Sequence, residues 1–156
     1  MDIRALADRS HLAQRRIRDV LDRRLIPGEW QSAESEIGQP RRFDDDVGLL
    51  VAIAAHLVEA GLKTTTVKEI LAELPKVKLP GKRKASVMQG ILQFDVRATI
   101  EIGDGTYVRF LVNDSDSGWK KPGSRTKVSK NYEPYVVIRI DVDRIRRDVL
   151  PETSEE

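Results

Sequence analysis

The chain has 156 residues, 40% of them hydrophobic and none a cysteine, which excludes disulfides, thiolate metal sites and a cysteine nucleophile and leaves room for one large or two small domains. A formal net charge of +2 is too weak to argue for or against nucleic acid. No run approaches the ~18 apolar residues of a membrane span and the start MDIRALADRS lacks a signal peptide's apolar run, so the expectation is a cytoplasmic protein with no membrane partner.

Charge distribution says more than the sum. Residues 1–75 carry 11 Lys+Arg against 13 Asp+Glu and residues 76–156 carry 16 against 12, yet Arg15, Arg16, Arg18, Arg23 and Arg24 crowd into ten positions of the acidic half. Ile3, Leu6 and Ala7 follow Asp2, a good N-cap, and predict a short amphipathic helix. After the Ser10-His11 break, Ile17, Val20 and Leu21 share a second helical face within 12–24, with Arg15, Arg16 and Arg18 largely off it. Leu25-Ile26-Pro27-Gly28 stops that helix, and the polar stretch 28–42 reads as a loop or short hairpin ending in the basic pair Arg41-Arg42.

Asp44-Asp45-Asp46 suits the positive end of a helix whose stripe is Val47, Leu50, Ala54, Leu57 and Val58, closed by Gly61. Thr66 to Glu69 has capping-box spacing ahead of a shorter helix that Pro75 ends. The run from Lys76 to Lys84 is basic and broken by Pro80 and Gly81, so residues 76–90 read as a linker. Period-two alternation from Leu92 to Ile102 predicts a strand, Gly103-Asp104-Gly105 a turn, Tyr107–Val112 its partner, and Val136–Val142 a third strand before a helix Asp143–Leu150. Residues 113–131, rich in Gly, Ser and Lys, read as a long mobile loop, and 151–156 as an acidic tail.

In order and spacing, Ile3 to Ala7, Gln14-Arg15-Arg16-Ile17-Arg18, Leu25-Ile26-Pro27, Pro40-Arg41-Arg42-Phe43 and Leu57-Val58-Glu59-Ala60-Gly61 resemble the winged helix-turn-helix head of MerR-type (mercury-resistance) regulators. The resemblance covers residues 1–75. It implies that helix 12–24 enters the major groove, with Gln14, Arg15 and Arg16 toward base edges, Arg18 on a phosphate, and Arg41 and Arg42 in the wing. The family's long dimerisation helix has no counterpart after Leu74, so a homodimer would use the β-rich residues 91–150 or an unrelated surface.

Each signal has a bland counterpart. Asp19 and Asp22 have the spacing to neutralise the arginine cluster, and the linker is either a plain spacer or a nonspecific phosphate contact through Lys82, Arg83 and Lys84. His56 is expected on or beside the helical core and no metal site is expected. Asp114 to Gly118 mimics a calcium loop, but its glycine falls one place early and the position for a bidentate Glu is Arg125. Trp119 and Tyr107 either line a small effector pocket or cap a thin core. No catalytic constellation and no cofactor motif stands out, so a non-enzyme is expected.

The expected protein is α+β: a winged helix-turn-helix head (1–75), a basic linker (76–90) and a small antiparallel β-rich domain with a C-terminal helix (91–150), used for dimerisation or for a small-molecule or protein effector. The expected function is sequence-specific transcriptional regulation on double-stranded DNA. An architectural or excisionase-like recombination factor and a protein interaction module are the alternatives.

Overall fold

Asp2 opens the first helix, α1 (Ile3–Ser10), by accepting from the Ala5 amide at 2.8 Å. His11, in the left-handed region at φ 59°, ends it. Helix α2 (Gln14–Asp22) begins after Ala13, which offers no side-chain cap, and buries Ile17 and Val20 completely. Full burial of two such side chains stabilises the seat of this helix by roughly 1.5–3 kcal/mol each. The computed structural model describes residues 1–28, 42–78, 86–92, 96–126 and 128–150. The wing expected over 28–42 therefore lies almost wholly outside the described residues. At its far end Arg42 forms an antiparallel bridge with Asp2, and the Phe43 amide donates to the Met1 carbonyl at 3.0 Å.

Helix α3 (Asp45–Glu59) has Asp45 and Asp46 in its first turn, where carboxylates suit the exposed amides. Every residue from Val47 to Ala55 is buried, so α3 is covered all round and not along one stripe. It packs against α1, α2 and the following helix α4 (Thr64–Glu73). Helix α4 starts at Thr64 behind Lys63 with no side-chain cap, which puts Thr66 inside the first turn instead of at the expected capping box.

The linker expectation fails over 86–90. Ser86 and Gln89 form a reciprocal capping box (2.9 and 3.2 Å) that starts α5 (Val87–Ile91), a single short helix with Val87, Met88, Gly90 and Ile91 buried. The Val87 and Met88 amides donate to the Val77 and Leu74 carbonyls, both at 2.9 Å, so the chain here is stitched to the end of α4. Five residues are too few to show helical period in the sequence. For the same reason the first strand, expected from Leu92, begins later: Ile91 belongs to α5 and Leu92 caps it.

Four antiparallel strands follow: β1 (Ala98–Gly103), β2 (Tyr107–Val112), β3 (Ser115–Asp116) and β4 (Val137–Asp141), in the order β3-β2-β1-β4. Positive φ at Asp104 (53°) and Gly105 (70°) closes the β1–β2 hairpin. Ala98, Ile100, Ile102, Val108, Phe110, Val112 and Ile140 face the core, the alternation the sequence showed. Asp141 accepts from the Arg144 amide at 3.1 Å and starts α6 (Val142–Val149).

Helix α6 carries the main packing consequence. It lies against α3 and α1 as well as β1, and the buried residues of both halves form one hydrophobic cluster. The two units expected at 1–75 and 91–150 share a core, because the last helix returns to the first. Arg146, 1% exposed, locks this arrangement: its guanidinium donates to the Ile91 and Val96 carbonyls and pairs with Asp143 at 2.9 Å. Burial lowers its pKa, and the Asp143 charge opposes that shift.

The expected loop 113–131 is likewise tied down over 120–123. Lys120 and Val108 exchange backbone hydrogen bonds at 2.8 and 2.9 Å, and Glu73 of α4, only 5% exposed, binds Lys120 Nζ at 2.5 Å and the Gly123 amide at 3.0 Å. A buried carboxylate with two donors is a satisfied anchor. Among the described residues no helix is long and apolar enough to cross a membrane.

Candidate nucleic-acid interface

The α2 face is set by two buried anchors, Ile17 and Val20, which turn the rest of the helix outward. Arg15 and Arg18 are exposed, three positions apart and therefore neighbours on the helix surface. Arg18 donates to Gln14 Oε1 at 3.2 Å, which orients both side chains. Arg23 and Arg24 are exposed just beyond the last turn. Among the described residues no ion pair joins Asp19 to an arginine of α2. Asp22 has a partner of its own.

Arg16 differs from its neighbours. It is half-buried, and its Nε donates to Glu59 Oε2 at 2.9 Å, tying α2 to the end of α3. The resemblance assigned Arg16 to base edges; in the structure its Nε is shared with a carboxylate. Arg42 is exposed beside Asp2, at the N-terminal end of α1. Arg41, Lys82, Arg83 and Lys84 lie outside the described residues.

His56 supports the α2 site from behind. Its Nε2 lies 3.1 Å from the Ser10 carbonyl, so the end of α3 holds the end of α1 where the chain turns into α2. Burial lowers the His56 pKa below its ordinary value, against the raising influence of the Ser10 hydrogen bond and of Glu59. A neutral imidazole donating to a carbonyl is the consistent state.

The outer face of the sheet carries a second arrangement, of which only Trp119 and Tyr107 were singled out in the sequence. Tyr132 joins them, with ring centroids 4.6 Å from Tyr107 and 5.7 Å from Trp119. These side chains cross β1 at Gly103, where an added Cβ would sit 2.9 Å from the Tyr132 hydroxyl and 3.1 Å from Trp119. Arg109 lies over Trp119 at 4.6 Å and pairs with the buried Glu101. Tyr132 donates to Asp104 Oδ2 at 2.7 Å, while Asp104 Oδ1 accepts from the Tyr135 and Val136 amides. The Tyr132 hydrogen bond, then those amides, hold Asp104 below its usual pKa; desolvation first, then Asp104, push Tyr132 up to about 12.

An open groove of about 510 Å³ runs beside this cluster, lined by Tyr107, Tyr132 and Lys121 with Thr126, Val128, Ser129 and Asn131. Trp119 is not part of its wall. The sequence signal that could have found it is the Lys- and Ser-rich run following Trp119. Compared with protein families, curated proteins and solved structures, this chain matches none.

Proposed function

We propose that the protein binds double-stranded DNA in a sequence-specific manner through α2 and acts as a transcriptional regulator, its N-terminal half serving as a winged helix-turn-helix of the MerR kind. The observation that carries this reading is the pair of exposed guanidinium groups, Arg15 and Arg18, on the side of α2 away from Ile17 and Val20, with no carboxylate partner among the described residues. Such groups present paired donors to guanine or to phosphate oxygens, and Gln14 beside them suits adenine. Arg16, held by Glu59, positions the helix and contributes charge.

Selection of bound sites from random duplexes, repeated across salt, tests the proposal. An enriched motif whose affinity falls when Arg15 or Arg18 becomes alanine supports it; absence of any motif, with both variants behaving as wild type, overturns it. One short helix reads few base pairs, so a homodimer on a palindrome is part of the reading.

A second reading, a protein interaction module, is favoured by the sheet edge. Among the described residues β4 has no outer neighbour in the sheet, and Tyr135 (99% exposed), Val136 (62%) and Val137 (45%) lie together at its start. The backbone of Val136 faces β1, since its carbonyl accepts from the Asp104 amide at 2.8 Å, which leaves Val137 and Arg139 directed outward. If this reading holds, duplex retention is absent while Val137→Lys alters the oligomeric state; if the first holds, selection succeeds.

A further inference from the structure

We propose that the groove beside Tyr107 and Tyr132, with the basic segment that forms its rim, binds a single strand of nucleic acid. This site is separate from α2 and does not require the α2 reading to hold.

Charge is the first argument. Between Asp116 and Glu133 the chain carries Lys120, Lys121, Arg125, Lys127 and Lys130 and no acidic residue. Lys120 is consumed by Glu73, but Lys121, Arg125 and Lys130 are exposed and make no ion pair among the described residues. Lys121 lines the groove itself. Arg125 and Lys130 adjoin the lining residues Thr126, Ser129 and Asn131 in the chain, and unpaired cations at and beside a groove are the electrostatic requirement for tracking a phosphate backbone.

Preorganisation is the second. Glu73 holds both Lys120 and the Gly123 amide, Pro122 is buried, and the Lys120 backbone pairs with Val108, so the part of the rim that carries Lys121 is fixed before any ligand arrives. A ligand then meets a shaped surface without the ordering cost of a free loop.

The groove wall is the third. Tyr107 and Tyr132 offer ring surface, and Tyr132 is fixed by its bond to Asp104 and its edge contact with Trp119. Thr126, Ser129 and Asn131 add hydroxyl and amide groups able to meet phosphate oxygens or base edges. Rings and cations together suit an unpaired base with its phosphates; a duplex keeps its base faces stacked and has no use for the rings. Besides Glu73, which is spent on Lys120 and the Gly123 amide, Asp104 and Glu69 lie close. Asp104 is occupied by three donors, and Glu69 sits beneath Gly123, 3.6 Å from where a Cβ would be.

The test is fluorescence anisotropy with a labelled 20-mer of thymidine and with its duplex, across a salt series. Four proteins are compared: wild type, Lys121→Glu/Arg125→Glu/Lys130→Glu, Tyr107→Leu, and Arg15→Ala/Arg18→Ala, each checked for wild-type thermal unfolding. The expected result is that wild type binds the single strand, charge reversal weakens it at least about ten-fold, and Tyr107→Leu weakens it about five- to ten-fold with little change in salt slope. The α2 variant should leave that binding intact while losing any selected duplex motif. The proposal is overturned if wild type does not retain the single strand, if charge reversal or Tyr107→Leu is silent, if polyglutamate competes as well as the oligonucleotide, or if the α2 variant abolishes single-strand binding too. Failure of the motif selection alone sinks the α2 reading and leaves this one standing.

Discussion

Helices α2 and α6 are written in nearly the same letters and meet opposite fates. Arg16-Ile17-Arg18-Asp19-Val20-Leu21 in the first is echoed by Arg144-Ile145-Arg146-Arg147-Asp148-Val149-Leu150 in the second. In α2 the arginine after isoleucine, Arg18, is exposed; in α6 the matching Arg146 is 1% exposed and satisfied by two carbonyls and Asp143. Both helices bury the isoleucine and the valine three or four positions on. What differs is the surroundings: α6 packs against α1, α3 and β1, which cover Arg146 and leave Arg144 and Arg147 exposed, whereas the side of α2 that carries Arg18 stays open. A charged residue is therefore a surface group or a structural clamp according to how many layers cover its helix.

The comparison breaks most sharply at Arg146. Arg146→Ala strips the Ile91 and Val96 carbonyls of their donors and strands Asp143, so it should cost on the order of 3–5 kcal/mol in urea unfolding, against under about 0.5 kcal/mol for Arg18→Ala. Equal losses would erase the distinction between the two helices. On duplex DNA the order reverses: each of Arg15→Ala and Arg18→Ala should weaken binding to a selected site by about 1–3 kcal/mol while the fold persists. If one arginine contacts only phosphate, its loss lowers affinity for all sequences and reduces the salt slope by about one.

Arg16 lies between these extremes. Its bond to Glu59 is partly exposed, so Glu59→Gln should change stability by no more than about 1 kcal/mol, and less in high salt. The same substitution frees the Arg16 guanidinium, and tighter, less selective duplex binding is the expected consequence, measurable as a changed salt slope.

The smallest effect concerns pH. Burial lowers the His56 pKa from 6.5, so near and below that value the unfolded chain takes up a proton that the folded chain resists. Stability should fall as pH drops below about 6.5, the range in which the unfolded imidazole titrates. The groups around His56 are Glu59, His11 and Asp148, and His11 lies 3.8 Å from Asp148 of α6. His56→Gln should flatten the slope in chemical denaturation between pH 5 and 7; an unchanged slope would assign it to other groups.

Much of the fold was legible in the letters. Asp2 as a cap, Ile17 and Val20 as the buried side of α2, and the alternation around Ile100 and Ile102 all act within a turn or a strand pair, so their physics is local. Less was legible of the sites. Arg15 and Arg18 were expected to be exposed and are, but nothing near Arg16 in sequence announces Glu59, 43 positions away. Tyr132 and Lys121 line one groove because Asp104 holds the first and Glu73, distant in sequence, anchors the neighbours of the second.

By itself the sequence determined the helices α1, α2 and α6 and the pairing strands β1 and β2, with the apolar side of each, because those properties follow from residue spacing along a single element. The tertiary structure alone decided that α3 is enclosed all round, that the five residues of α5 are structure and not spacer, and that Arg146 is buried while Arg18 is exposed. The physical reason is that burial and ion pairing depend on what arrives from elsewhere in the chain. No periodicity in a helix records which neighbours will cover it.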